Sequence, residues 1–330
     1  MDAVPDVFRR RGPLLLRILV SAALLGAVLA YVDVGAVAQE VKDGHWGWFA
    51  AAVGIMCIGA VVGAVRWWLL LRGAEMDVSV RRAVQTFAAS LLLNSVLPTS
   101  VGGDAARAWL VGRESGRLIR AATATIADKA TAVGCLFIVA WVVLVFDRDQ
   151  VPSSVITVLL WVSVGLLTAL GIAVAVAAGV RPVVRRLPGR VASLIREVWT
   201  TIRIWGRSPR LIAGLLGLGV LYQVLALIAL VLVAWTVGVE LSFALAAIVA
   251  PIVIVVTLMP ISVGGLGIRE GAFVVLLGEA GIGGAEATVI SLLSIAVIML
   301  AGAAVIALAA AYDLAVPAAK GRPLQRHPSA

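Results

Sequence analysis

Apolar residues run in long unbroken blocks along this chain, separated by short polar or basic stretches. Blocks over 14–32, 48–70, 122–146, 153–180, 210–237 and 286–312 each approach or exceed the roughly 20 apolar residues that cross a bilayer as one helix. Their Leu, Ala and Val content is continuous, not alternating, so the pattern predicts membrane helices and not the strands of a barrel. Two shorter blocks interrupt this rhythm. Ala83 to Val101 runs into Leu97-Pro98-Thr99-Ser100-Val101-Gly102-Gly103-Asp104-Ala105-Ala106-Arg107, and Ser242 to Met259 runs into Pro260-Ile261-Ser262-Val263-Gly264-Gly265-Leu266-Gly267-Ile268-Arg269-Glu270. Pro98 aligns with Pro260, Ser100 with Ser262, Val101-Gly102-Gly103 with Val263-Gly264-Gly265, and Arg107 with Arg269, without a gap. One irregular segment present twice in an apolar chain predicts an internal duplication, with sites where the helices break.

Charge then sets direction. Arg9, Arg10, Arg11 and Arg17 flank the first block, and Arg66, Arg72, Arg81 and Arg82 follow the second. A third cluster, Arg181 to Arg210, and Lys320, Arg322 and Arg326 mark the later ends. Basic clusters beside apolar spans place those ends in the cytoplasm. Both termini are therefore expected inside a plasma membrane that the chain crosses many times. Ala83–Val101 has Arg81 and Arg82 before it and Arg107, Arg113, Arg117 and Arg120 after it, so it predicts a re-entrant hairpin from the cytoplasm. The region 241–279 starts and ends outside by the same count, which predicts a second hairpin from the opposite face. The expected fold is an all-α polytopic helical bundle of inverted repeats, with six full spans plus two hairpins, or about eight spans.

The chain reads as a single membrane domain over 1–330. A first half, 14–146, carries the motif at 94–107, and a second half, 210–312, carries the motif at 259–271. Between them, in 181–209, Leu187, Val191, Leu194, Ile195, Val198, Ile202 and Trp205 recur at helical spacing, with Arg196, Arg203 and Arg207 opposite. This is either an amphipathic helix on the cytoplasmic leaflet or a solvated connector between the halves.

Composition narrows the function classes. With 62% hydrophobic and 14% charged residues and a mean hydropathy of +1.08, the chain is no water-soluble globule. Its net charge of +9 sits beside spans, so anionic lipid is the expected partner and nucleic acid is not. Cys57 and Cys135 lie inside apolar blocks, and His45 and His327 are far apart. No disulfide framework, metal spacing, nucleophile–His pair or P-loop is legible, so no cofactor and no enzyme chemistry are expected.

The candidate site comes from the two breaks. A helix interrupted at Pro and Gly-Gly offers free N–H groups and the positive end of a half-helix, both of which attract anions. Pro98, Gly102 and Gly103, with Pro260, Gly264, Gly265 and Gly267, supply such backbone. Arg107 and Arg269 add planar cations suited to phosphate oxygens. Asp104 and Glu270 are their expected partners when no substrate is bound, and Asn94 is placed to cap loose backbone or bond a headgroup. Asp128-Lys129 reads as an interfacial pair or a coupling pair, and Gln223 beside Tyr222 as an interhelical hydrogen bond.

At these residues the sequence resembles the flippase-like membrane family that includes the membrane region of lysylphosphatidylglycerol synthases. The resemblance rests on Asn94, Leu97-Pro98 and Gly103-Asp104 leading to Arg107, on Arg66-Trp67, and on Pro260, Gly264-Gly265, Gly267 and Arg269-Glu270. The family pattern has Glu-Arg where this chain has Asp128-Lys129, which keeps the charge order but not the residues. The resemblance implies a multi-spanning protein that handles lipids. Some members add a soluble domain that transfers an aminoacyl group to phosphatidylglycerol, and none is expected in a chain ending at Ala330.

The function expected is therefore a lipid translocase: Arg107 and Arg269 hold an anionic headgroup between the repeats while the tails stay in the bilayer. Two alternatives stand beside it. One is a proton-coupled transporter of a small anionic solute through Asp104, Asp128 or Glu270. The other is a membrane partner subunit of a lipid-modifying enzyme. The substrate, the energy source and the oligomeric state are not legible.

Overall fold

A computed structural model describes residues 44–97, 101–184, 189–259, 262 and 265–315, and no strand occurs among them. The expected first span at 14–32, Pro98, Pro260, Gly264 and the basic tail lie outside the described residues. The helices are α1 (Trp46–Gly73), α2 (Val80–Val96), α3 (Gly102–Ser115), α4 (Leu118–Phe146), α5 (Ser153–Val184), α6 (Gly189–Gly206), α7 (Pro209–Thr236), α8 (Phe243–Leu258), α9 (Ile268–Gly278) and α10 (Gly284–Ala315). Local chemistry sets several of their ends. Ser79, Ser208 and Ser242 accept from the N–H groups of Arg82, Leu211 and Leu245, satisfying donors that a helix start leaves free. Gly116, at φ +68°, closes α3 in the left-handed conformation that glycine adopts without strain.

Five helices, α1, α4, α5, α7 and α10, are long and apolar enough to cross a membrane. The arms around the two breaks are shorter, with 17 and 14 residues in α2 and α3 and 16 and 11 in α8 and α9. Even the longest reaches only about 25 Å at 1.5 Å per residue, short of a hydrocarbon core of about 30 Å. Each pair folds back as a hairpin. In the first, Arg82 at the start of α2 pairs with Glu114 at the end of α3, while Gly103 N–H at the start of α3 donates to Asn94 Oδ1 near the end of α2. The arms are therefore antiparallel.

The duplication is visible in which helices touch. Helices α1 and α7 form the central seam, and they run in opposite directions. At one end His45 N–H donates to Thr236 O at 2.7 Å and Trp48 packs edge-on against Trp235; at the other, Trp205 Nε1–H donates to Leu70 O at 3.2 Å. Around this seam each contact has a counterpart. Helix α2 packs on α10 as α8 packs on α4, α1 on α10 as α7 on α4, and α3 on α4 as α9 on α10. Span–hairpin–span thus occurs twice, inverted. Small residues line α1 where its neighbours approach: Gly59 faces Leu225 of α7, a Cβ on Gly63 would fall on the Phe87 ring of α2, and Ala60 packs with Ala88 of α2 and Val305 of α10, the composition that lets membrane helices come close.

The hairpins enter from opposite ends. The first opens where Arg81, Arg82, Arg113 and Arg117 gather, and Arg81 lies over the Tyr312 ring at the end of α10. The second opens where Glu279 accepts from Ser154 Oγ at 2.7 Å. Helix α6 lies at the basic end. Its Trp205 and Thr201 are buried against the bundle, Glu197 faces Arg120 at 3.6 Å, and Leu194 and Ile202 stay exposed. Part of the apolar face expected to lie on the leaflet is therefore spent on the bundle, because α1 supplies an acceptor for the Trp205 indole.

Candidate functional site

The first break is organised by a helix start. Gly102 and Gly103 open α3, and Asn94 Oδ1 takes the Gly103 N–H at 2.8 Å. A Cβ on Gly103 would fall on the Ser90 carbonyl and stand 2.9 Å from Asn94 N and Oδ1. Only glycine allows α2 and α3 to meet this closely. The next residue, Asp104, and Arg107 one turn on are aimed by α3 at α4, where they meet Asp128 and Lys129.

These side chains form one alternating chain of charge. Arg66 Nε donates to Asp128 Oδ1 at 2.8 Å, and Arg107 Nη2 to Asp128 Oδ2 at 2.9 Å. Arg107 Nη2 also lies 3.0 Å from Asp104 Oδ1, and Lys129 Nζ donates to Asp104 Oδ2 at 3.0 Å. Arg66, Arg107 and Asp128 are almost fully buried. Aromatic faces close the cluster: Arg107 sits 4.7 Å from the centroids of both Trp67 and Phe87, and Arg66 5.5 Å from that of Tyr222. Such faces attract cations where carboxylates run out. Arg66 Nη1 and Arg107 Nε and Nη1 are buried with no hydrogen-bond partner among the described residues.

The second break builds a smaller version. Gly265 and Gly267 both take φ +80°. Gly267 N–H donates to Glu270 Oε2 at 2.6 Å, so Glu270 caps its own helix, α9. Its other oxygen holds Arg269 Nη2 at 2.6 Å, and Arg269 Nε donates to Ser291 Oγ of α10 at 3.2 Å. Glu270 is fully buried. Ser262, the counterpart of Ser100, is buried with its hydroxyl unpartnered among the described residues.

Two cavities adjoin these clusters. The smaller, about 350 Å³, has mostly apolar walls, into which Lys129 from α4, Tyr222 and Gln223 from α7, Thr257 from α8, Arg269 from α9 and Ser294 from α10 bring polar groups. The larger, about 1200 Å³, is a half-open groove walled mostly by apolar side chains of α3, α4, α5 and the end of α8, from Val101 to Met259. Asp104 and Lys129 are its charged residues. Ile138, Val142 and Leu167 on its walls are exposed on the apolar outer surface, so the groove opens sideways to where lipid chains lie. Lys129 lines both spaces.

Several residues sit where sequence reasoning did not put them. Arg107 lines neither cavity; it is locked behind Asp104, and Lys129 is the first-half cation that faces open space. Asp128-Lys129 lies eleven residues inside α4, not at an interface, and its members pair with other helices and not with each other. Arg66 counted as a flanking charge, yet it is 2% exposed and bonded to Asp128. The order Arg-Trp-Trp near a span end is what a membrane anchor also shows, and the separate acid at Asp128 was the only signal for a partner. Gln223 Nε2 donates to Ala132 O at 2.6 Å, the interhelical bond expected, and it also lines the smaller cavity. Asn94, Gly102, Gly103, Asp104, Asp128 and Lys129 gather at the first break, and Gly265, Gly267, Arg269 and Glu270 at the second.

Residues 14–306, which hold both motifs, match the family model described as the lysylphosphatidylglycerol synthase TM region. The chain belongs to this family. The chain is also similar to a UPF0104 membrane protein from Methanothermobacter thermautotrophicus, at 24% identity over 310 residues, covering 86% of this chain and 91% of that one. The family match spans both breaks and every helix from α1 to α9, and all but the end of α10. As a lysylphosphatidylglycerol synthase TM region, the chain is a multi-pass membrane protein.

Proposed function

We propose that this protein moves an anionic-headgroup lipid between leaflets. One observation carries the reading: an apolar groove that opens sideways adjoins a smaller cavity into which Lys129 and Arg269 project, and the two spaces share Lys129. An amphiphile has the same two parts. Its tails would occupy the groove and its headgroup the space between Lys129 of the first half and Arg269 of the second. At about 1200 Å³ the groove is larger than the roughly 300–1,000 Å³ of ordinary small-molecule pockets, which favours a lipid over a small solute. A soluble anion would leave this apolar space without a role. The inverted halves supply a means of alternating access by rocking about the α1–α7 seam.

The test is transport in liposomes loaded with a headgroup-labelled anionic lipid, for the parent and for Lys129→Ala and Arg269→Ala. Each variant is expected to lose at least about tenfold in rate, since a hydrogen bond to a charged group is worth about 1.5–3 kcal/mol and about 1.4 kcal/mol is tenfold. Parent-like rates in both variants would remove the site assignment. No movement by the parent would remove the translocase reading itself.

A further inference from the structure

Helix α6 carries its charge unevenly. Its one acid, Glu197, turns inward to Arg120 of α4 at 3.6 Å. Arg196 and Arg203, with Arg207 just past its end, are exposed on the side away from the bundle, as their spacing from the buried Thr201 and Trp205 requires at 3.6 residues per turn. Arg210, in the first turn of α7, is exposed too and extends the basic row. Apolar groups lie beside these cations. Leu194 shares a stripe with Thr201 and Trp205 yet is exposed, so the helix outruns the bundle at its start. Ile202 is exposed on a flank between that stripe and the arginines. Exposed apolar side chains next to a basic face are the composition of a helix lying in the headgroup layer. Its height is fixed as well. Trp205 Nε1–H donates to Leu70 O near the end of α1, and the Trp205 ring and Leu211 fill the space beside Gly73. Ser208 N–H donates to Trp205 O in the turn into α7. Helix α6 is thus fastened at the ends of two membrane-crossing helices, the level at which a bilayer's headgroups begin.

We propose that α6 is a docking surface for an anionic leaflet at the basic end of the bundle. Leu194 and Ile202 reach the acyl boundary, and Arg203, Arg207 and Arg210 meet the surrounding lipid phosphates. The exposed apolar pair favours a lipid surface over an acidic protein segment held by charge alone. Because Glu197 is spent on Arg120, no acid of α6 opposes the approach of anionic headgroups. None of these residues lines either cavity, so the surface is separate from the transport reading and stands without it. Contact with the leaflet is carried into the bundle, since Trp205 and Ser208 tie α6 to the ends of α1 and α7.

The experiment is amide hydrogen exchange over 193–204, on the full chain in nanodiscs of phosphatidylcholine alone or of phosphatidylcholine mixed with phosphatidylserine. Each arginine near an anionic surface is worth about a fivefold bias, so exchange should be at least about tenfold slower in the anionic discs. Added salt should narrow the difference, because exposed charges are screened. Arg203→Glu/Arg207→Glu should bring the two compositions within about twofold of each other, and Arg203→Lys/Arg207→Lys should keep them apart. Ile202→Asn, which changes no charge, should speed exchange in the anionic discs and covers the case of the glutamate variant failing to fold. Equal exchange by the parent in both discs, or an undiminished difference in the glutamate variant and in Ile202→Asn alike, overturns the proposal. Lys129→Ala should leave the difference intact; its loss there would trace the effect to the cavities and overturn the surface. Protection by soluble polyglutamate in phosphatidylcholine discs, with none from phosphatidylserine, would assign the face to an acidic protein and overturn the leaflet.

Discussion

Asp128 is the most consequential single residue in the bundle. Its two oxygens hold Arg66 and Arg107 at 2.8 and 2.9 Å, and all three side chains are no more than 3% exposed. Asp128→Asn keeps the shape and removes the charge. Two guanidinium groups then stand in the interior with only the Asp104 carboxylate near. Breaking one buried pair costs about 3–5 kcal/mol. Because Arg107 retains Asp104 at 3.0 Å, the sum for both arginines stays closer to one full pair than to two. At a few degrees per kcal/mol for a protein of this size, the melting temperature should fall by about 5–10 °C. Tryptophan fluorescence in detergent reads it directly, since Trp67 lies against Arg107. The double variant Arg66→Met/Asp128→Asn removes one stranded cation with its acid and should recover at least half of the loss, giving a coupling energy that single variants cannot. A melting temperature within about 2 °C of the parent for Asp128→Asn would refute the claim that the triad is buried and charged.

Gly103→Ala should destabilise by about 2 kcal/mol or more, since its methyl would fall on the Ser90 carbonyl, whereas Gly54→Ala, with nothing within 4 Å, should be neutral or stabilising by about 0.5–1 kcal/mol. Paired thermal melts separate the two. Glu270→Gln retains the geometry but strips Arg269 of its counter-charge in a fully buried position. We expect a loss of about 3 kcal/mol, and faster amide exchange at Gly267, whose N–H the carboxylate holds.

The broad architecture could be read from the chain because a bilayer leaves few options. Every backbone group must be satisfied within a helix, so apolar blocks translate almost directly into spans. The duplicated Pro/Gly-Gly motif and the basic residues on both sides of Ala83–Val101 gave the hairpins and their opposite senses. The side-chain network was harder to read. Arg66 and Arg72 lie six residues apart near the end of α1, and sequence alone treats them as two flanking charges. What separates them is Asp128, 62 positions away, brought opposite Arg66 only when α4 packs on α1. Lys129 was legible as half of an acid–base pair, but its facing two cavities depends on α7, α8 and α9, which no local pattern encodes. Asn94 was the exception: a polar residue one turn before a break has few tasks, and capping is one of them.

Lys129 borders both the groove and the smaller cavity, so ligands in the two spaces would be thermodynamically linked through it. On the proposed reading, an anion that engages Lys129 from the groove would weaken the hold of the smaller cavity on another anion, and linkage requires the reverse effect to have the same size. Reciprocal competition would thus be built into a single side chain, and in a translocase it would favour a cargo leaving one space as it enters the next.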